Sequence, residues 1–334
     1  VQRIALIGAG FMGGQHAANL AAHPDVDLVA VCDADPRRAD AVAGRYGARA
    51  TTDAAEVVAA ARVDAVLVAS PTDTHAAHLR RAADAGVAVL CEKPIDPSLD
   101  TAVDAARYAA ARNARVMIGF NRRFDRDHAE LKAIVDGGEI GDVSLMQLTS
   151  RGPSVPPLEY IAVSGGQMRD QAVHFFDLAR WIAGAEPTEV FAAGSALADP
   201  RIADHGDVDT SAITLRLETG ALVQVDCARR TGYGYDERVE VLGSHGMAES
   251  GRHRTSTVVR YVDGAGRTAG MHAGWLERVL PTYAAELDHF VRGLETEEPF
   301  GPGLIDGLRA QAIAEAATRS LASGRSEPVD RIDP

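Results

Sequence analysis

The sequence predicts an N-terminal α/β domain on a parallel sheet joined to a C-terminal α+β domain on an open, mainly antiparallel sheet. Three observations predict this. Short branched-apolar runs alternate with alanine-rich helical segments as far as Phe120. Beyond it, strand-like segments alternate polar and apolar residues, as in a sheet with one open face. The length of 334 residues also exceeds that of a typical single domain. The expected division is residues 1–122 and 123–334, with the last helix able to pack back on the first domain.

In chain order, RIALIGAG (3–10) reads as a strand running into a glycine turn, and Phe11–Ala22 as a helix. Strands follow at 28–33, 64–70, 88–94 and 116–120, separated by helices over Pro36–Tyr46, His75–Ala85 and Leu99–Ala111. The second half reads as a helix over Asp127–Asp136, a strand at 143–150, a proline-rich loop at 152–157 and a helix over Met168–Ile182. Strands at 211–218, 222–230, 238–246 and 258–262 come next, then helices over Tyr283–Leu294 and Gly307–Ala322. The tail SGRSEPVDRIDP (323–334) is expected to be loosely ordered.

Composition narrows the possible functions. An apolar share of 46% and a charged share of 24% are those of a globular chain. A net charge of −13 disfavours a broad nucleic-acid surface but not a phosphate held by backbone amides. Cys32, Cys91 and Cys227 lack the spacing of a metal or redox pair, so they are expected as small buried hydrophobes. No run of 18 apolar residues occurs, so a soluble, reducing, cytoplasmic setting without membrane contact is expected.

GAGFMG (8–13) carries three glycines at the spacing of a dinucleotide fingerprint. Gly8 suits the tight turn, Gly10 the approach of a pyrophosphate and Gly13 close helix–strand contact, with Phe11 and Met12 opening the helix above the phosphates. Asp33 ends the next strand, 20 residues beyond Gly13, where a carboxylate can accept both adenosine ribose hydroxyls. A 2′-phosphate would be repelled there, so NAD is expected over NADP. Arg37 and Arg38 could reach such a phosphate or simply face solvent. Ser70, Thr72 and His75 follow the third strand at the carboxyl edge, where cofactors bind, although Thr72 could instead cap the helix.

Glu92, Lys93 and Pro94 end another strand at the same edge. A lysine is costly to bury without a task, though it could pair with Glu92. Asp170 and His174 stand four apart on a predicted helix, with Asp177 one turn on. Oxidation of an alcohol moves a hydride to a nicotinamide and a proton to a base. His174 suits the base, Asp170 its orientation, and Lys93 a hydrogen bond to the substrate oxygen. Lys93 could itself be the base if its pKa fell. The spacing has no convincing third ligand for zinc, so no metal is expected.

These segments together resemble the glucose–fructose oxidoreductase / inositol dehydrogenase / rhizopine catabolism superfamily over nearly the whole chain, most of all its inositol dehydrogenases. The resemblance rests on the glycine loop, EKP at 92–94, the Asp170–His174 pair, GFNRRFD (119–125), SGGQMRDQAVHFFDLAR (164–180) and GYGYDERVEVLGSHG (232–246). It implies a Rossmann domain, NAD, Lys93, Asp170 and His174 as the proton-handling set, and polyol contacts from Arg123, Asp177 and Tyr235. It also implies a homotetramer joined through the sheets. A cyclic polyol agrees with this mixture of donors and acceptors, because no cationic pocket for a carboxylate or phosphate substrate is evident. Two positions depart from the family pattern: Phe175 stands where an acidic residue is common, and Gln171 where an apolar one is. If Phe175 bordered the pocket, ring-hydroxyl recognition would change. Other inositols, a pyranose, a redox-neutral reaction and a non-catalytic NAD sensor stay open at this point.

Overall fold

The computed structural model describes residues 1–59, 63–296 and 298–333. Its first sheet comprises β1 (Gln2–Ile7), β2 (Val26–Cys32), β3 (Arg49–Thr51), β4 (Ala65–Val68), β5 (Ala88–Cys91) and β6 (Val116–Ile118). All pair in parallel in the order β3-β2-β1-β4-β5-β6. This is the doubly wound dinucleotide-binding order, whose direction of winding reverses between β1 and β4. Ile4, Ala5 and Leu6 of β1 and Val66 and Val68 of β4 have no exposed surface, as strands covered on both faces require.

The connecting helices are α1 (Phe11–Ala22), α2 (Pro36–Tyr46), α3 (Ala54–Ala59), α4 (His75–Ala85) and α5 (Leu99–Ala110). α5 illustrates why these segments are helical. Ser98 caps it, and Ala102, Ala105, Ala106 and Ala109 form one buried stripe, the i, i+3, i+4, i+7 pattern of a helix laid on a sheet.

In the second half, α6 (Arg126–Asp136) precedes β7 (Val143–Arg151), and a short α7 (Leu158–Ile161) leads to α8 (Val173–Ala183). β8 (Pro187–Ser195), β9 (Thr210–Leu217), β10 (Leu222–Ala228), β11 (Asp236–Gly243), β12 (Met247–Ser250), β13 (Val259–Val262) and β14 (Ala265–Thr268) follow. The chain closes with α9 (Trp275–Thr296), α10 (Leu304–Ser323) and β15 (Glu327–Pro328). Seven strands form an open sheet in the order β12-β11-β7-β10-β9-β8-β15. Only the β7–β10 pairing is parallel; the others are antiparallel. Its inner face packs on Phe175, Phe176, Leu178 and Ile182 of α8 and on Ile313 and Ala317 of α10.

By internal contacts the chain forms two compact units. One holds Val1–Asn121, Tyr283–Arg309 and the residues from Ile332; the other holds Arg122–Thr282 and Ala310–Arg331. The segment counted with the first unit is thus Tyr283–Arg309, whereas most of the last helix belongs to the second.

Several elements differ from expectation for identifiable reasons. β8 lies in an alanine- and glycine-rich stretch with little apolar alternation. β3, α3, β12, β14 and β15 are too short to show a period. β13 pairs with β14 in a separate hairpin. α9 begins eight residues before Tyr283 and contains Pro281, a residue that usually marks a helix end. Residues 168–172 form a π-helical turn ahead of α8. The tail is tied down as far as described: β15 pairs with β8, and Arg309 holds Asp333. Pro334 lies outside the described residues.

Candidate active site

The glycine loop stands where β1 meets α1, beside the winding reversal. Gly8 has a φ of +101°, and a Cβ there would meet the Ala69 carbonyl oxygen at 2.4 Å. A Cβ on Gly13 would stand 2.0 Å from the Gly8 carbonyl oxygen, whereas one on Gly10 would meet nothing within 4 Å. Two glycines therefore allow the turn to close, and the third keeps open space over the helix N-terminus. Gly10 occupies the N-cap position without a side chain to satisfy the first amides. Such a cradle fits a pyrophosphate. Phe11 is exposed at this rim, Met12 is half-buried and Gly13 is buried.

Asp33 accepts the Ala9 amide at 2.7 Å and the Asp35 amide at 2.9 Å. Those bonds fix the carboxylate at the end of β2 while leaving each oxygen a further lone pair for ribose hydroxyls. Arg37 turns to Asp35 at 3.1 Å, and Arg38 stands 4.0 Å from the same carboxylate. The arginine hydrogen bond holds the Asp35 carboxyl below the ordinary range. Both arginine side chains are exposed at the surface beside Asp35.

At the neighbouring strand ends, Ser70 bonds Thr74 at 2.6 Å. Thr72 opens a one-turn 3₁₀ helix, and Thr74, not Thr72, occupies the N-cap of α4. His75 is buried, its two ring nitrogens lying 2.8 Å from the Pro94 carbonyl and 2.9 Å from the Ser70 carbonyl. It ties two loops together at this edge of the sheet. Glu92 bonds His16 at 2.8 Å. Burial favours the neutral acid, but that hydrogen bond and the charges of His16 and Lys93 outweigh it and lower the Glu92 pKa. Lys93 follows at the carboxyl end of β5, where its amide donates to Glu92 at 3.3 Å. The cavity lined by Asp64, Gly86, Ala88, Arg112 and Arg115 lies at the opposite, amino-terminal ends of the strands, where doubly wound sheets do not bind cofactor.

In the second unit, Asp170 sits in the π turn. It accepts the Tyr160 hydroxyl at 2.7 Å and faces Arg229 at 3.7 Å. His174 follows in the first turn of α8 and is 8% exposed. Asp177, fully buried three residues on, receives a two-pronged bond from Arg123 at 2.8 and 2.6 Å. Arg180 stands 3.6 Å from it and pairs with Glu186 at 2.6 Å. Forked guanidinium–carboxylate pairing is among the stronger and more directional of polar contacts.

Tyr235 bonds the neighbour of Arg123. It is 5% exposed and donates its hydroxyl to Glu237 at 2.6 Å while accepting Arg122 at 3.3 Å. Burial and the adjacent Glu237 carboxylate push its phenol pKa up. Its hydroxyl is thus engaged in an internal network. The departures at 171 and 175 are structural as well. Phe175 is 1% exposed and packs in the sheet-facing core. Gln171 donates to Ser150 and Ala228 carbonyls at 2.9 and 3.2 Å, stitching the ends of β7 and β10.

Asp125, His128 and Glu237 come close enough to share one ion, but their charges are already matched. Arg278 holds Asp125 at 2.6 Å and Arg122 holds Glu237 at 3.2 Å. Burial would raise both carboxyls, yet nearby charges prevail. His128 and Arg278 take Asp125 down to about 2, and Arg122 and His128 lower Glu237. A divalent cation would enter beside two guanidiniums, so the group does not fit a metal. Sequence reasoning missed His16, Arg122, Glu237 and Arg229, whose partners are distant in the chain, and Tyr160, which reaches Asp170 from the short α7 ten residues earlier without a helical spacing.

Comparison with known proteins agrees with this geometry. Residues 2–120 match the family described as "Oxidoreductase family, NAD-binding Rossmann fold", and 128–249 match the GFO/IDH/MocA C-terminal domain. The chain is 41% identical to inositol 2-dehydrogenase of Rhizobium meliloti, over 97% of this chain and 98% of the relative. Identity to myo-inositol 2-dehydrogenase of Thermotoga maritima is 39%, over 99% of each. The crystal structure of a myo-inositol dehydrogenase from Corynebacterium glutamicum matches with a TM-score of 0.94 at 36% identity, covering 99% of this chain and 100% of that one.

Proposed function

The chain belongs to the GFO/IDH/MocA family of NAD-binding oxidoreductases, and from that premise we propose that it oxidises myo-inositol to 2-keto-myo-inositol. The observation that carries this reading is the start of α8. There, buried His174 and Asp177 stand three residues apart, with the Asp177 carboxylate gripped by Arg123 at 2.6 Å. A base beside a fixed donor–acceptor pair suits a neutral ring bearing many hydroxyls. The full-length likeness to enzymes named for inositol supports the same substrate.

NAD supplies the hydride acceptor. The loop amides at Gly8–Gly13 would hold its pyrophosphate, with Phe11 and Met12 at the rim, and Asp33 would take the ribose hydroxyls. Ser70, Thr72 and Glu92 complete that side from the strand ends, with His75 and His16 supporting them. His174 accepts the proton of the reacting hydroxyl, while Asp170 stabilises the resulting imidazolium. Lys93 donates a hydrogen bond to the same oxygen and stabilises charge developing on it. Arg123 and Asp177 orient the ring through neighbouring hydroxyls.

The test is initial-rate cofactor reduction with NAD and NADP, using myo-, scyllo- and D-chiro-inositol, glucose, xylose and levoglucosan. The expected result is the highest kcat/KM with myo-inositol and NAD. Preference for another ring would retain the dehydrogenase and reject myo-inositol. No turnover on any of them would reject polyol oxidation.

The open face of the second sheet supports the homotetramer that the family resemblance implies. Met247, Leu242, Leu145 and Leu222 are aligned in register across four neighbouring strands. Met247, Leu242 and Leu222 are 51%, 41% and 38% exposed, and a contiguous exposed apolar row of this kind is the sort of surface that marks an interaction site. Light scattering is expected to give about four times the 35.2 kDa chain mass, falling on Leu242→Glu. A monomeric parent protein would reject the tetramer.

A further inference from the structure

We infer that Tyr235, Glu237 and Arg122 form a buried brace that positions Arg123 on Asp177, and so set polyol affinity without touching the polyol. The inference rests on the proposed substrate role of Arg123 and Asp177.

Arg122 and Arg123 are consecutive in the short 3₁₀ turn Asn121–Phe124. The Arg122 side chain is held at both ends of its fork, by Glu237 at 3.2 Å through Nε and by the Tyr235 hydroxyl at 3.3 Å through Nη2. Its carbonyl is held too, since His128 Nδ1 lies 3.1 Å away. A carbonyl can only accept, so that nitrogen carries the proton. Backbone and side chain of the residue before Arg123 are therefore both fixed, from β11 and from α6.

The brace is itself anchored. The Tyr235 hydroxyl donates to Glu237 at 2.6 Å, so Tyr235 and Arg122 share one carboxylate oxygen. The other Glu237 oxygen faces His128 Nε2 at 3.9 Å. Asp125, which caps α6, is clamped by Arg278 at 2.6 Å. Arg122, Glu237, His128 and Asp125 are each less than a tenth exposed. In a close-packed, low-dielectric interior these contacts set a single arrangement. Its output is the next residue: Arg123 reaches Asp177 in a forked geometry that tolerates little displacement. Tyr235 thus has a physical task other than the polyol contact implied by family likeness.

The experiment measures polyol KM, NAD KM, kcat and Tm for the full chain, Tyr235→Phe, Glu237→Gln, Arg123→Lys and the Tyr235→Phe/Arg123→Lys double variant, using the best polyol of the panel above. Tyr235→Phe is expected to raise polyol KM about three- to tenfold, with kcat and NAD KM within about twofold. Glu237→Gln should show the same split. The double variant should be no worse than Arg123→Lys alone, because both changes act through one guanidinium. Effects that multiply would overturn the brace, since Tyr235 would then contact polyol independently. A lowered Tm with unchanged KM would overturn it too, leaving a purely structural network. If Arg123→Lys itself leaves polyol KM unchanged, the substrate role of Arg123 fails first and the brace with it.

Discussion

His174→Ala is expected to lower kcat by about 10²–10⁴-fold, the usual contribution of a positioned general base. The substitution removes a mostly buried ring from the first turn of α8 but leaves the sheet-facing anchors Phe175, Phe176 and Leu178 in place. The fold should persist, and NAD affinity with it, because the glycine loop and Asp33 belong to the other unit. The discriminating readout is the pH profile of kcat/KM. Loss of its acidic limb in His174→Ala, with the limb retained in Lys93→Ala, identifies the imidazole as base. The reverse pattern would transfer that role to Lys93. A kcat within about tenfold of the parent would remove His174 from proton transfer.

Gly13→Ala is expected to abolish measurable NAD binding by isothermal titration and to lower Tm. Its new methyl would sit 2.0 Å from the Gly8 carbonyl oxygen and 2.7 Å from the Gly8 carbonyl carbon. Both obstacles are backbone, so no side chain can swing aside, and the turn between β1 and α1 must open. Overpacking of this kind costs about 1–3 kcal/mol, or roughly 2–4 °C in Tm per kcal/mol for a unit of this size. Gly10→Ala is the matched control. Its Cβ meets no protein atom within 4 Å, so Tm should stay unchanged while NAD affinity falls. Equal Tm for the two variants would contradict the packing argument. Unchanged NAD affinity in both would remove the loop from pyrophosphate binding.

The two experiments probe opposite parts of the chain, and they differ in how readily the sequence announced them. The glycine loop is local: the turn, the helix start and the acidic strand end all fall within 33 residues. Gly13 answers a steric demand from its near neighbour Gly8, and Gly8 takes the positive φ of the tight turn, so the spacing shows in the sequence. The close approach of Gly8 to Ala69 is made only by the fold. Lys93 at a strand end and the 170–177 segment were legible for the same reason. Periodicity also disclosed the long, fully covered strands and the amphipathic helices. It failed where elements were short, as in β3 and β15, or lacked apolar alternation, as in β8.

By itself, the sequence determined a doubly wound sheet with an NAD-type loop, a following domain of alternating strands, and the local cluster of ionisable residues around His174. Only the tertiary structure decided which charges meet. Asp177 is paired with Arg123 across 54 residues of chain, and Tyr235 with Arg122 across 113. The same folding turned Phe175 into core and His75 into a strut between two carbonyls. The physical reason is the range of the forces involved. Turn sterics and helix period act between close neighbours in sequence, whereas burial and ion pairing depend on which distant segments the packed fold brings within a few ångströms.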